Sequence, residues 1–216
     1  MKPALLAFTL AAAFSATSAQ AMLPANLLTN GSFEIPARAV PGDSYFDSGS
    51  TDITGWTVVG GRTQLSYHST CTDGKQCIDL TGDFGYNKGL RSDAIATVIG
   101  ATYLLTFDLG NVVRSDFGSS TVSVSINNGA ATLLTNVINN DPSGFEWESK
   151  SLSWVANATS AQITFLGAAN GGLSNDAGIL LDNVAFTAVP VPEPETYALM
   201  LAGLGLVGFA ARRRAT

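Results

Sequence analysis

The chain has 216 residues, of which 46% are hydrophobic and 13% charged, and carries a net charge of −6. Residues 22–188 hold seven Lys/Arg against fifteen Asp/Glu, a net charge of −8. That balance disfavours nucleic acid and anionic lipid as partners and is compatible with divalent cations and neutral glycans.

Residues 1–21 hold one charge, Lys2, an apolar stretch over 4–14, and then Ala19-Gln20-Ala21. This is the pattern of a secretory signal peptide cut after Ala21. Residues 22–188 are enough for one domain of usual size. Gly, Ser, Thr and Asn are abundant there, and no long amphipathic helix pattern occurs. The expected class is all-β.

In chain order, strands are expected at 26–28 and 32–35 around Asn30-Gly31, with 37–53 as a loop. Strands at 55–59 and 63–67 are joined by Gly60-Gly61, and another covers 77–80. A hairpin is expected from 93–99 and 102–109 around Gly100-Ala101. Residues 121–126 alternate Val122, Val124 and Ile126 with Ser123 and Ser125, a period of two. After Asn127-Asn128-Gly129 come strands at 132–138, 147–155, 162–166 and 179–187. Short strands at regular spacing predict an antiparallel β-sandwich or jelly roll.

The cysteines are Cys71 and Cys77, flanking the turn signal Asp73-Gly74. In an exported chain this spacing favours a disulfide. A metal site would need more thiols or histidines than His68 alone supplies, and a redox pair usually has two intervening residues rather than five.

Two stretches carry a resemblance: Asn26-Leu27-Leu28-Thr29-Asn30-Gly31-Ser32-Phe33-Glu34 followed by Gly55-Trp56, and Gly178-Ile179-Leu180-Leu181-Asp182-Asn183-Val184. They resemble the galactose-binding-like jelly rolls of carbohydrate-binding modules, the related plant cell-wall proteins of unassigned function, and the bacterial surface family called choice-of-anchor C. The resemblance implies neighbouring first and last strands, and a structural calcium held by Glu34 and Asp182. Calcium takes six to eight oxygens, which carboxylates and carbonyls can supply. This chain has Asp182-Asn183 where many relatives carry two acids. The alternative is that Glu34 is a solvated strand residue and Asp182 a turn or cap acceptor. Ser174-Asn175-Asp176 could add oxygens or be only a turn.

No catalytic pattern emerges. A Ser–His–Asp arrangement would have to use His68, no Gly-x-Ser-x-Gly elbow occurs, and residues 167–172 lack the P-loop spacing. The expectation is a non-enzyme. For glycan binding the candidates are aromatics, which can stack on sugar rings. Trp56, Trp147 and Trp154 are expected in the core. Among Tyr45, Phe46, Tyr67, Phe84, Tyr86 and Phe117, which lie in turn-rich or polar contexts, Phe84, Tyr86 and Phe117 are the better loop candidates for a binding face. The alternative class is a structural surface protein without a defined small ligand.

The C-terminus has three zones: a collar over 190–196 with Pro192-Glu193-Pro194, an uncharged run over 197–211, and Arg212-Arg213-Arg214. As a helix the run would span about 22 Å, short against a bilayer core of about 30 Å. The arginines would stay cytoplasmic. The alternatives are an ordinary tail anchor or a core helix. These zones resemble the PEP-CTERM sorting signal of Gram-negative bacteria. The resemblance implies transient anchoring in the inner membrane by a transmembrane helix, cleavage near Pro192–Pro194 by an exosortase, and release to the cell surface or extracellular matrix. The domain plan is therefore 1–21, 22–188 and 189–216.

Overall fold

The period-two stretch behaves as its sequence demands: Ser120, Val122, Val124 and Ile126 are buried, and the residues between them are half-buried. Such a strand covers a core with one face and meets solvent with the other. The computed structural model describes residues 24–67, 70–81, 85–112, 119–138, 145–170, 178–190 and 194–214. The expectations for residues 1–21, His68, Phe84, Phe117, residues 174–176, Pro192 and Glu193 lie outside the described residues.

Two antiparallel sheets form a sandwich. The first has six strands in the order β1 (Gly42–Phe46), β3 (Thr63–Tyr67), β4 (Gln76–Asp79), β13 (Ile179–Ala188), β7 (Thr102–Val112) and β10 (Phe145–Val155). The second has five, in the order β2 (Trp56–Val59), β5 (Gly89–Ser92), β12 (Ile163–Asn170), β8 (Ser120–Ile126) and β9 (Thr132–Asn136). A two-stranded ribbon, β6 (Ile95–Ala96) with β11 (Ser160–Ala161), closes one end.

Between the sheets the large side chains pack as a seam of rings. Phe33 lies 5.3 Å from Trp56, and Phe165 lies 6.2 Å from Trp56 and 5.1 Å from Phe107. Farther along, Tyr103 stacks on Phe186 at 5.0 Å, with Trp154 beside both. Trp56 is therefore a core residue, and Trp154 is partly buried against the core.

Several expectations are corrected. Residues 26–28 and 32–35 form no strand. They run as a hydrogen-bonded strap along β13: Leu27 N donates to Phe186 O, Val184 N to Gly31 O, and Asn26 Nδ2 to Val184 O. The placement beside β13 agrees with the sequence; the regular ladder fails because Asn30 and Phe33 adopt left-handed backbone, φ 55° and 57°. The expected loop over 37–53 contains β1, whose short polar side chains disguise an edge strand. The hairpin around Gly100-Ala101 does not form, since β6 pairs with β11 whereas β7 pairs with β10 and β13. At Gly60-Gly61 the chain crosses from one sheet to the other.

Helix α1 (Pro194–Arg214) begins three residues before the expected 197 and runs through the arginines. Proline fits a helix start, where its missing N–H is not needed. Residues 199–213 are exposed, and no helix among the described residues is long and apolar enough to cross a membrane.

Gly31 sits so close to β13 that a Cβ there would collide with Val184 O. Gly31→Ala must push the strap off the last strand. The expected cost is about 2 kcal/mol, read in a thermal melt as a Tm lower by about 6 °C.

Candidate functional site

Strand alternation decides which side chains reach the outer face of the six-stranded sheet. Trp147 lies opposite Gly110, Gly110 opposite Leu180, Leu180 opposite Asp79, Asp79 opposite Gln64, and Gln64 opposite Tyr45. These side chains form one rung across the sheet. The neighbouring rung, two residues along each strand, runs Ser149, Asp108, Asp182, Cys77, Ser66 and Asp43. The face therefore carries four aspartates and an aromatic ring near each edge.

The middle of this face is covered by the connection between β3 and β4. Cys71 and Cys77 are bonded, with Cα atoms 5.6 Å apart. The two carboxylates singled out in the sequence grip this loop. Glu34 Oε1 accepts from Lys75 N and Gln76 N, each at 2.7 Å. Asp182 Oδ2 accepts from Thr72 N at 2.8 Å, Asp73 N at 2.9 Å and Thr72 Oγ1 at 3.2 Å. Its Oδ1 accepts from Asn183 N at 2.7 Å. Gly74, at φ 89°, has to be glycine because a Cβ would strike the Glu34 carboxylate. Gln76, fully buried, extends the grip: its amide donates to Phe33 O and Pro36 O and accepts from Arg38 N. Trp147 Nε1 donates to Thr70 O from the other side.

This donor set does not fit a calcium ion bound by Glu34 and Asp182. Glu34 Oε1 and both Asp182 oxygens face the positive ends of N–H dipoles. Among the described residues no group of three or more His, Cys, Asp or Glu is placed to hold a metal ion. Asn183 also has a local reason. At φ 51°, on the irregularity between Asp182 and Ala185, its amide donates to Asp108 Oδ2 at 3.1 Å. An acid there would face a second carboxylate.

The face is open at its two edges, at Asp43 and Tyr45 of β1 and along Ser149, Ser151, Ser153 and Val155 of β10. Tyr45 is 52% exposed, and among the described aromatics of the sandwich it alone is in the open. The Arg62 guanidinium lies over its ring at 5.9 Å and pairs with Asp47 at 2.9 Å. Gln64 donates to Ser66 Oγ at 2.8 Å. Asp79 accepts from the N–H and hydroxyl of Thr81. Burial pushes its carboxyl up to about 6; the Thr81 hydrogen bonds oppose the rise and the Asp43 charge adds to it. Burial likewise raises Asp182 to about 6 against its four hydrogen bonds.

Of the aromatics favoured from sequence, Tyr86 is packed against the core, while Phe84 and Phe117 lie outside the described residues. Tyr45, named from sequence but ranked below these three, is the exposed one, because polar, turn-rich composition masks the edge strand that carries it. Pro194 opens α1, and Arg212 and Arg213 are exposed at its end.

A family model described as a protein of unknown function, DUF642, matches residues 26–187. The chain belongs to the DUF642 family. A second model, the PEP-CTERM protein-sorting motif, matches residues 190–214. That motif implies export and sorting to the cell surface by an exosortase. No curated protein matches the sequence. Among solved structures, a cyclase from Fischerella sp. TAU in complex with 4-(1H-indol-3-yl)butan-2-one shares 16% identity at TM-score 0.54, covering 77% of this chain and 98% of the cyclase. A second structure of that cyclase gives 16% identity and TM-score 0.51, covering 77% and 97%. TmCBM61 in complex with β-1,4-galactotriose shares 15% identity at TM-score 0.46, covering 76% and 99%. At these identities the likeness is one of fold, so the DUF642 sandwich is assigned no ligand by it.

Asp79 and Asp182 hold protons more tightly in the fold than in the unfolded chain. Their protonation therefore stabilises the fold fully below about pH 4, and the contribution is lost as pH rises through about 6. Tm should rise on going from pH 7.5 to pH 5, and Asp79→Asn should flatten part of that rise; a profile identical to wild type would show that Asp79 does not titrate in this range.

Proposed function

We propose that the protein is an exported, non-catalytic surface module that binds a neutral glycan of the extracellular matrix around Tyr45, on the β1 edge of the outer face. One observation carries the reading: Tyr45 offers an open ring edged by hydrogen-bonding side chains. A sugar ring can lay its C–H face on such an aromatic while its hydroxyls meet Gln64, Asp43 and Asp47. The guanidinium over Tyr45 holds the ring in place. The aspartates on this face repel anionic polymers, which favours a neutral partner. The non-catalytic reading is supported by the occupation of Asp79, Asp108 and Asp182 as hydrogen-bond acceptors within the fold.

The Glu34 and Asp182 hydrogen bonds support a fold that needs no calcium at this pair. Tm should be the same in excess calcium and in chelator, whereas Asp182→Ala, which strands the Thr72 and Asp73 donors, should lower it by about 6 °C. A calcium-dependent Tm that Asp182→Ala abolishes would restore the metal reading.

Binding is tested by depletion onto a panel of neutral and acidic matrix polysaccharides. Tyr45→Ala should weaken the retained interaction about tenfold, or about 1.4 kcal/mol, with an unchanged melt. If wild type binds nothing, or Tyr45→Ala binds as wild type does, the face is not the site and a purely structural surface role takes its place. That alternative draws on the inward packing of Trp56, Phe165 and Phe186.

The tail reading is that the chain is held transiently in the inner membrane and cut near Pro192–Pro194. Replacing Pro192, Glu193 and Pro194 by alanine should leave an uncut species in the membrane fraction. Intact mass of surface-extracted wild type should end near the collar; a species ending at Thr216 would leave a plain anchor.

A further inference from the structure

The chain leaves the sandwich at a distinct end. Val189 N donates to Thr102 O there, and α1 begins at Pro194. Three segments meet at this end, residues 94–107, 151–166 and 183–190, and none contains Asp, Glu, Lys or Arg. The nearest charges along the first segment are Asp93 and Asp108. Among the described residues, these segments form a tip without charged side chains of their own.

That tip is also apolar and open. Val98 is 67% exposed, Ile99 62%, Val155 58% and Val189 41%. Four of its backbone N–H groups are bonded within the fold. Thr97 N donates to Thr159 O, Val98 N to the Tyr103 hydroxyl, Gly100 N to Ala156 O and Ala101 N to Val98 O. A turn that exposes apolar side chains while bonding most of its N–H groups internally leaves water at reduced desolvation cost.

We infer that this tip, with Val98 and Ile99 at its apex, rests in the headgroup–acyl boundary of the membrane that holds the tail. The inference rests on the tail reading above and extends it to the folded domain. Five residue steps separate Val189 from Pro194, at most about 18 Å of chain. The apolar run after Pro194 is short, so it leaves no helix to lift the domain away from the bilayer. Charge selects the same orientation: an acidic body is repelled by anionic lipid everywhere except at its uncharged end. The domain stands on this tip while the tail is held, and its glycan face is turned sideways into the periplasm.

The test uses the exported chain, tail included, with phosphatidylcholine–phosphatidylglycerol vesicles whose acyl chains are brominated or plain. Flotation reports the tail, and tryptophan quenching by bromine, read as the difference from wild type, reports depth. Ile99→Trp probes the tip, and Val137→Trp, 67% exposed in the wild type just past the end of β9, probes the opposite end. The expected result is flotation with the added Ile99→Trp emission quenched about twofold and the Val137→Trp emission unchanged. Flotation with neither quenched overturns the tip contact and leaves the tail reading intact. Failure to float overturns both. An Ile99→Trp blue shift that grows with protein concentration in the absence of lipid assigns the tip to a second copy of the chain and also overturns the membrane contact.

Discussion

Two carboxylates gripping one disulfide loop are the constraint on which the rest of the sandwich depends. Glu34 comes from the N-terminal strap and Asp182 from the last strand, yet both accept backbone N–H groups from residues 72–76. The loop lies across the middle of the six-stranded sheet and pins its two ends in sequence to one another. Charge-assisted hydrogen bonds to carboxylates are stronger than neutral ones, and the disulfide limits how far the loop can yield. Raised proton affinity at Asp182 is the cost of placing that carboxylate in a desolvated position.

Much of the fold was legible because burial leaves a periodic trace. Residues 120–126 alternate cleanly, and the turn signals at Asp73-Gly74 and Asn127-Asn128-Gly129 fall between strands. The conjunction of the two end motifs was legible too, as was the disulfide. What sequence could not resolve was the use made of the carboxylates: calcium and N–H donors ask for the same side chains. Strand partners were equally out of reach. Gly100-Ala101 reads as a hairpin turn, but β7 finds its partners at β10 and β13, both distant in sequence. Tyr45 was named from sequence but ranked low for a related reason, since an edge strand with one half-exposed face needs few apolar residues and reads as a loop.

The two faces of the six-stranded sheet serve different ends. Its inner side supplies Leu65, Ile78, Leu109 and Phe186 to the core. Its outer side is closed in the middle by the disulfide loop and open at the β1 and β10 edges. The proposed glycan surface beside Tyr45 and the proposed membrane tip lie apart, so the two proposals are compatible. Asn30 supports the arrangement at the strap: its side chain bonds Ile35 and Thr54, and its carbonyl accepts from Trp56 Nε1 at 3.1 Å.

The position of β13 has a consequence for how such a chain is made. The last strand of the sandwich is inserted between β4 and β7, in the interior of its sheet. Until residues 179–188 have emerged, the first half of the sheet has no neighbour on one side and the second half none on the other, so neither half can close over the core. Pairings of such long sequence separation form slowly. A sheet built this way is completed only after residues 179–188 have been made, so its closure is tied to the end of the domain rather than to its beginning.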